Sequence, residues 1–238
     1  VEYIATDEKR LSIPWVRYTN TETGAVKEFM SENEPLAPED RSKYEIRTMD
    51  CMDCHNRPTH IFRTPSEAIN LAIDAGLIDR ALPNIKSTGI DALVAEYPSE
   101  GEALSGIETF VTDYYKKSYP GVSDTMTVQI GSAVQALQRI YRDNFFPGMK
   151  SRWDVYPDNI GHLSFPGCFR CHDGYHADEE GTVITNSCST CHTILSLNTA
   201  EGLAVSQTSE GLEFVHPVDI GEAWKETGCY ECHTGANP

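Results

Sequence analysis

The sequence predicts a mostly irregular and α-helical chain with a small N-terminal β-hairpin region, and three observations carry that reading. Residues 1–48 are patterned like short strands and turns. Residues 67–150 hold no cysteine and space their apolar side chains as helices do. Residues 151–238 contain three of four C-x-x-C-H runs, which leaves little room for a conventional apolar core.

In the N-terminal β/turn segment, 1–48, Ile13-Pro14-Trp15-Val16-Arg17-Tyr18 and Ala25-Val26-Lys27-Glu28-Phe29 flank Thr21-Glu22-Thr23-Gly24. Two β-prone runs around a glycine-containing connection form a hairpin pattern. The expected role is to cover a buried group or to pair with a neighbouring chain, and plain cover is the simpler reading.

Residues 49–66 bring the first of the cysteine runs. All eight cysteines of the chain fall into four pairs, Cys51/Cys54, Cys168/Cys171, Cys188/Cys191 and Cys229/Cys232, and each pair is followed at once by histidine: His55, His172, His192 and His233. Zinc knuckles or disulfides would explain paired cysteines, but neither requires histidine in the fifth position. With histidine at 8 of 238 positions, four such coincidences have a chance of about one in a million. C-x-x-C-H is the attachment signature of a c-type haem. Two thiols three positions apart lie on one side of a helical turn and can add across the two vinyl groups of one porphyrin. The imidazole in the next position then reaches the iron from the same face. The expectation is a multihaem cytochrome c with four covalently attached haem c groups, in which haems replace much of the core.

In the helical segment, 67–150, Thr64-Pro65-Ser66-Glu67 has the form of a capping box with proline at the first helical position, leading into Ala68-Ile69-Asn70-Leu71-Ala72. A short helix is expected over 87–97. Another over about 101–118 places Leu104, Ile107, Val111 and Tyr114 on one stripe, and a third over about 125–145 turns Val134, Leu137, Ile140 and Tyr141 inward before Pro147-Gly148. Such stripes read as the core of a small bundle.

The three-haem segment, 151–238, should consist of short helical turns at the motifs with irregular connections, the four segments forming one integrated domain. Four proximal histidines leave four irons with a vacant face, and the remaining histidines are also four: His60, His162, His176 and His216. The count predicts bis-His ligation of every iron; methionine would raise a haem's potential relative to that. His60 follows His55 by five residues and His176 follows His172 by four, too short a path round a porphyrin edge, so each is expected to ligate a haem other than the one attached beside it. One short peptide then pins two porphyrins together, which suits electron hopping. His162 and His216 are not assigned to particular irons by this argument.

Met49-Asp50-Cys51-Met52-Asp53-Cys54-His55-Asn56-Arg57-Pro58-Thr59-His60 and Gly161-His162-Leu163-Ser164-Phe165-Pro166-Gly167-Cys168-Phe169-Arg170-Cys171-His172-Asp173-Gly174-Tyr175-His176 resemble the later part of the NapC/NirT-like multihaem cytochromes of metal-respiring bacteria. The resemblance implies bis-His haems, with His60, His162 and His176 among the ligands, and passage of electrons outward from the quinone pool. That family has an N-terminal membrane helix with further haem motifs near it; neither is found in these residues, which argues against a quinol-oxidising role. In haem count and length the chain is also similar to tetrahaem extracellular cytochromes that polymerise into filaments.

Lys and Arg total 19 against 36 Asp and Glu, a formal net charge of -17, so nucleic acid and anionic membrane are unsuited as partners. Covalent haem attachment takes place across the inner membrane, so a periplasmic or extracellular location is expected. No apolar run is long enough to span a bilayer, and no signal peptide precedes Val1-Glu2-Tyr3-Ile4, so the chain reads as processed or trimmed. The expected function is non-enzymatic electron transfer between redox partner proteins or extracellular acceptors, with a homopolymeric filament as one form of it. The alternative is a reductase of a small oxyanion with one open haem iron.

Overall fold

The computed structural model describes residues 1–56, 61–199 and 201–233. In chain order, three short strands β1 (Glu2–Ile4), β2 (Trp15–Thr19) and β3 (Val26–Ser31) are followed by a 3-10 turn at Pro38–Lys43 and by β4 (Ile46–Thr48). Helix α1 (Cys51–Cys54) comes next, then α2 (Pro65–Asp74), α3 (Ile85–Val94), α4 (Glu100–Ser118), α5 (Pro120–Thr125) and α6 (Thr127–Asn144). Short pairs complete the fold: β5 (Phe145–Phe146) with β6 (Ser151–Arg152), the two-residue strand β7 (His176–Ala177), and the hairpin β8 (Ser196–Thr199) with β9 (Gly202–Val205). The last elements are α7 (Ala223–Glu226) and α8 (Cys229–Cys232). Among the described residues no helix is long and apolar enough to cross a membrane.

The chain gathers into two compact units. The first comprises Val1–Asn56, Asn159–His162 and Pro166–Cys229, so the N-terminal strands share a unit with the second and third cysteine motifs. Its main sheet has the order β4-β1-β2-β3-β7 with antiparallel pairing throughout. The expected hairpin is β2 and β3. Asn20 closes its turn by accepting the backbone N–H groups of Glu22 and Thr23 on Oδ1, the local bonding that suits asparagine to turns. Register then sorts the side chains by the strand period of two. Tyr3, Val16 and Phe29 lie in one cross-strand row and Ile4, Trp15 and Met30 in the next. The first row packs with Ile13, Met49, Cys171 and Ile184, and the second with Leu36, so both faces of this small sheet are covered.

The second unit comprises Arg57–Asp158, Leu163–Phe165 and Tyr230–Pro238 and holds the helices α2 to α6. Thr64 caps α2 by accepting the Glu67 N–H, with Pro65 opening the helix, which is the first half of the expected capping box; the Glu67 carboxylate lies 3.8 Å from Arg63 Nε instead. Ile69, Leu93, Ile107, Val111, Tyr115 and Leu137 are fully buried in one apolar cluster. Gly89 lets α3 close on its neighbours, since a Cβ there would lie 2.9 Å from Leu137 Cδ2 and 3.0 Å from Ile69 Cδ1. On α6 the predicted Val134, Leu137, Ile140 and Tyr141 are all buried. On α4 the middle of the stripe holds at Ile107 and Val111, but its ends are Ala103 and Tyr115, while the expected Leu104 and Tyr114 lie at its margin. Tyr115 is fixed inward because its hydroxyl donates to the Pro83 carbonyl at 2.9 Å.

Candidate functional site

The C-x-x-C-H runs fold as single tight turns, as the attachment chemistry asks. The first is helix α1, the second lies on a 3-10 turn at Gly167–Arg170, the third on one at Cys188–Thr190, and the fourth on α8. In each of the first three the histidine N–H closes back on the carbonyl of the first cysteine: His55 on Cys51 at 2.8 Å, His172 on Cys168 at 3.0 Å and His192 on Cys188 at 2.9 Å. Both thiols and the imidazole of a motif thus belong to one turn of backbone. No cysteine is in a disulfide. No group of three or more His, Cys, Asp or Glu side chains among the described residues converges as a metal-binding set, which is the geometry a zinc knuckle would need.

The inner residues of the first two motifs tie these turns together. Asp53 is buried within the first motif. Its Oδ1 accepts from Tyr3 Oη at 2.7 Å, Arg47 Nε at 2.8 Å and Arg10 Nη1 at 3.0 Å, and its Oδ2 accepts the Asp50 N–H at 2.8 Å. Asp50 in turn accepts the Met52 N–H, a reciprocal cap on a helix of one turn. Burial works against the Asp53 charge, but the bonds from Arg47, the Asp50 backbone and Tyr3 outweigh it and hold the carboxyl down to about 2. Arg170 occupies the equivalent position of the second motif and is also buried. It donates to three carbonyls, those of Asp53 at 2.6 Å, Gly167 at 2.8 Å and Arg10 at 2.9 Å. Asn159 adds a bond from Nδ2 to the same Asp53 carbonyl at 3.1 Å. A planar fork with several donors suits such a clamp better than a lysine would.

Above the Tyr3, Val16 and Phe29 row lies a cavity of about 460 Å³, within the range of small-molecule and cofactor sites. Its wall is apolar, with Ile13, Met49 and Ile184, and into it come Cys54 of the first motif, Cys168, Cys171 and His172 of the second, and Cys191 of the third. Burial pushes the Cys54 thiol up and the Cys171 thiol to about 12. Redox-active C-x-x-C pairs show the opposite shift, toward the thiolate. Neutral thiols in an apolar wall fit thioether attachment of a flat hydrophobic group.

The histidines differ in what holds them. His172 Nδ1 lies 3.0 Å from the Thr185 carbonyl, and His216 Nδ1 lies 2.7 Å from the Val218 carbonyl and 3.3 Å from the Val218 backbone nitrogen. For His172 this is the usual support of a metal-ligating histidine, a backbone carbonyl on one ring nitrogen that leaves the lone pair on the other. His162 stacks on Phe169, centroids 4.3 Å apart and planes 5° apart, and meets His192 edge-on. Burial and then His192 push the His162 pKa down, so its ring is neutral. His176 is different. It is buried, with Nδ1 on Asp173 Oδ1 at 2.9 Å and Nε2 on the Ile13 carbonyl at 2.7 Å. Both partners only accept, so both nitrogens carry hydrogen, and the ring has no lone pair to offer until one bond is released. His60 lies outside the described residues.

The clamp of Asp53 and Arg170 was not foreseen from the sequence. The signal was present: a carboxylate and a guanidinium occupy the same inner position of two C-x-x-C motifs, in a chain poor in cations.

Comparisons with known proteins agree with the motifs. No family model matches the chain, and no solved structure matches it. It is 43% identical, over 239 aligned residues and 99% of its length, to the cytochrome c-type protein ImcH of Geobacter sulfurreducens, and it spans 46% of that protein. The chain is thus homologous to about half of a protein whose name marks it as a c-type cytochrome.

Proposed function

We propose that this chain is a four-haem electron-transfer unit, exported to the periplasm or cell surface, that relays electrons along closely placed haems without transforming a small molecule. The observation that carries this is the convergence of cysteines from three separate motifs on one apolar cavity. Cys51/Cys54, Cys168/Cys171, Cys188/Cys191 and Cys229/Cys232 hold the porphyrins, and His55, His172, His192 and His233 are the proximal ligands. The distal set is drawn from His60, His162, His176 and His216. Haem supplies one-electron chemistry at iron, and axial ligation, burial and nearby charge set its potential.

The same reading covers extracellular filaments only if copies each carrying -17 are brought together by close contacts or bound cations. Electron microscopy of concentrated protein separates compact particles from polymers.

One observation favours a second reading. If Asp173 and Ile13 kept His176 in the haem-loaded chain, one iron would be short of a histidine from this set, and an open iron is what an oxyanion reductase needs. Pyridine haemochrome assay with mass spectrometry should give four haems per chain. EPR of the oxidised protein should show only low-spin iron for a pure carrier. One high-spin haem in four would shift the assignment to the reductase.

A further inference from the structure

His162 sits where one side of an iron can be held. The turn that carries it is closed tightly: the Cys168 N–H donates to the Gly161 carbonyl at 3.0 Å. Gly167 has φ +50°, and a Cβ there would run into the same Gly161 oxygen. The ring plane is set by the stack on Phe169. His162 Nδ1 is buried and has no hydrogen-bond partner, a costly state for a polar atom unless something completes it.

Its neighbour is His192, the proximal histidine of the third motif, with ring centroids 6.1 Å apart and planes at 72°. First-row metals bind imidazole nitrogen at about 2.0–2.1 Å, so two rings on opposite sides of one ion have centroids about 6.3 Å apart. The observed separation matches that span. We infer that His162 is the axial partner of His192, on the haem attached at Cys188 and Cys191. This rests on the haem reading above and adds a specific pairing to it.

The pairing has a consequence for electron flow. Residues 162–172 would then hold the iron of the third haem at one end and carry the attachment site of the second at the other. Two porphyrins are tied to one short closed turn, which favours a fast step between them.

The test uses the full haem-loaded chain, with haems counted by pyridine haemochrome. EPR of oxidised His162→Ala should show one high-spin iron per chain more than wild type, and added imidazole should return it to low spin. His162→Met should stay low-spin, with one haem moved to higher potential. In a chain with Cys188→Ala and Cys191→Ala, which carries one haem fewer, adding His162→Ala should create no further high-spin iron. A His162→Ala spectrum identical to wild type overturns the pairing. So does new high-spin iron that persists in the chain lacking the third attachment site. Failure of the underlying reading shows elsewhere, as fewer than four haems in the wild-type chain.

Discussion

Each unit is stabilised internally by different means. The helical unit has an ordinary interior, with Ile69, Leu93, Ile107, Val111, Tyr115 and Leu137 all removed from water. The motif-bearing unit buries two small apolar clusters on its sheet, and with them charged or polar groups: Asp53, Arg170, His176 and Asn159. Beyond His176 its described residues bury nothing, while Val183, Leu195, Leu203, Val205, Val215 and Val218 are exposed. An aliphatic interior can form from side chains alone. A stretch of more than fifty described residues, none of them buried, needs another hydrophobic body, and covalent porphyrin is one.

The largest effect should come from withholding haem. Chain made without haem attachment is expected to keep the α-helical circular dichroism of α2 to α6, because that core closes on its own residues. Residues 178–229 should become the first sites of proteolysis. Limited digestion read by mass spectrometry checks this, and equal protection of both regions would mean that the motif-bearing unit needs no porphyrin to fold.

Much of this contrast is legible in sequence wherever the determinants are local. The Thr64 cap, the Asn20 turn and the α6 stripe each involve residues a few positions apart, and local pattern found all three segments. The ends of the α4 stripe were misplaced by one position in opposite directions, because small Ala103 carries little signal beside Leu104, and Tyr114 and Tyr115 are the same residue type. Strands β1, β4 and β7 are two or three residues long and pair across long separations, so no period announces them. The Asp53–Arg170 link joins residues 117 apart. The cysteine motifs were readable because attachment demands fixed spacing. The engagement of His176 was not, since its partners are Asp173 and a carbonyl of the N-terminal segment.

Within the helical unit, Leu137→Ala should cost about 3 kcal/mol, within the range for truncating a fully buried leucine that leaves a cavity. Chemical denaturation followed at the helical signal measures it. The haem Soret band should respond far less than that signal if the units differ as described.

In the motif-bearing unit, Arg170→Ala removes bonds to the carbonyls of Asp53, Gly167 and Arg10, of which Asp53's keeps its bond from Asn159, and a loss of about 2 kcal/mol follows from the lost guanidinium bonds and the buried Gly167 acceptor. Arg170→Lys should recover only part, because one ammonium cannot span all three. Haem-loaded variants compared by thermal melting at the Soret band decide it. Equal stability of the alanine and arginine forms would remove the clamp from the account.

The smallest effect lies in the alkaline range. Tyr3 of the motif-bearing unit is also raised, by burial and its bond to Asp53, but the helical unit holds more shifted tyrosines. Tyr115 is buried, and burial raises its pKa above the ordinary value, with Tyr114 and Tyr119 adding to the shift. Its hydroxyl also donates to Pro83, which a phenolate could not do. The folded state therefore holds this proton more tightly than the unfolded chain, so the contribution is complete below about pH 10 and is lost as pH rises beyond it. Tyr97 and Tyr141 in the same unit are shifted the same way, chiefly by burial. The helical signal should weaken with rising alkalinity, starting above about pH 10, where the unfolded chain's tyrosines ionise. Tyr115→Phe should lose about 1 kcal/mol at neutral pH with its hydrogen bond and show a shallower alkaline slope. A slope equal to wild type would place the alkaline transition on other groups and leave Tyr115 as apolar filling alone.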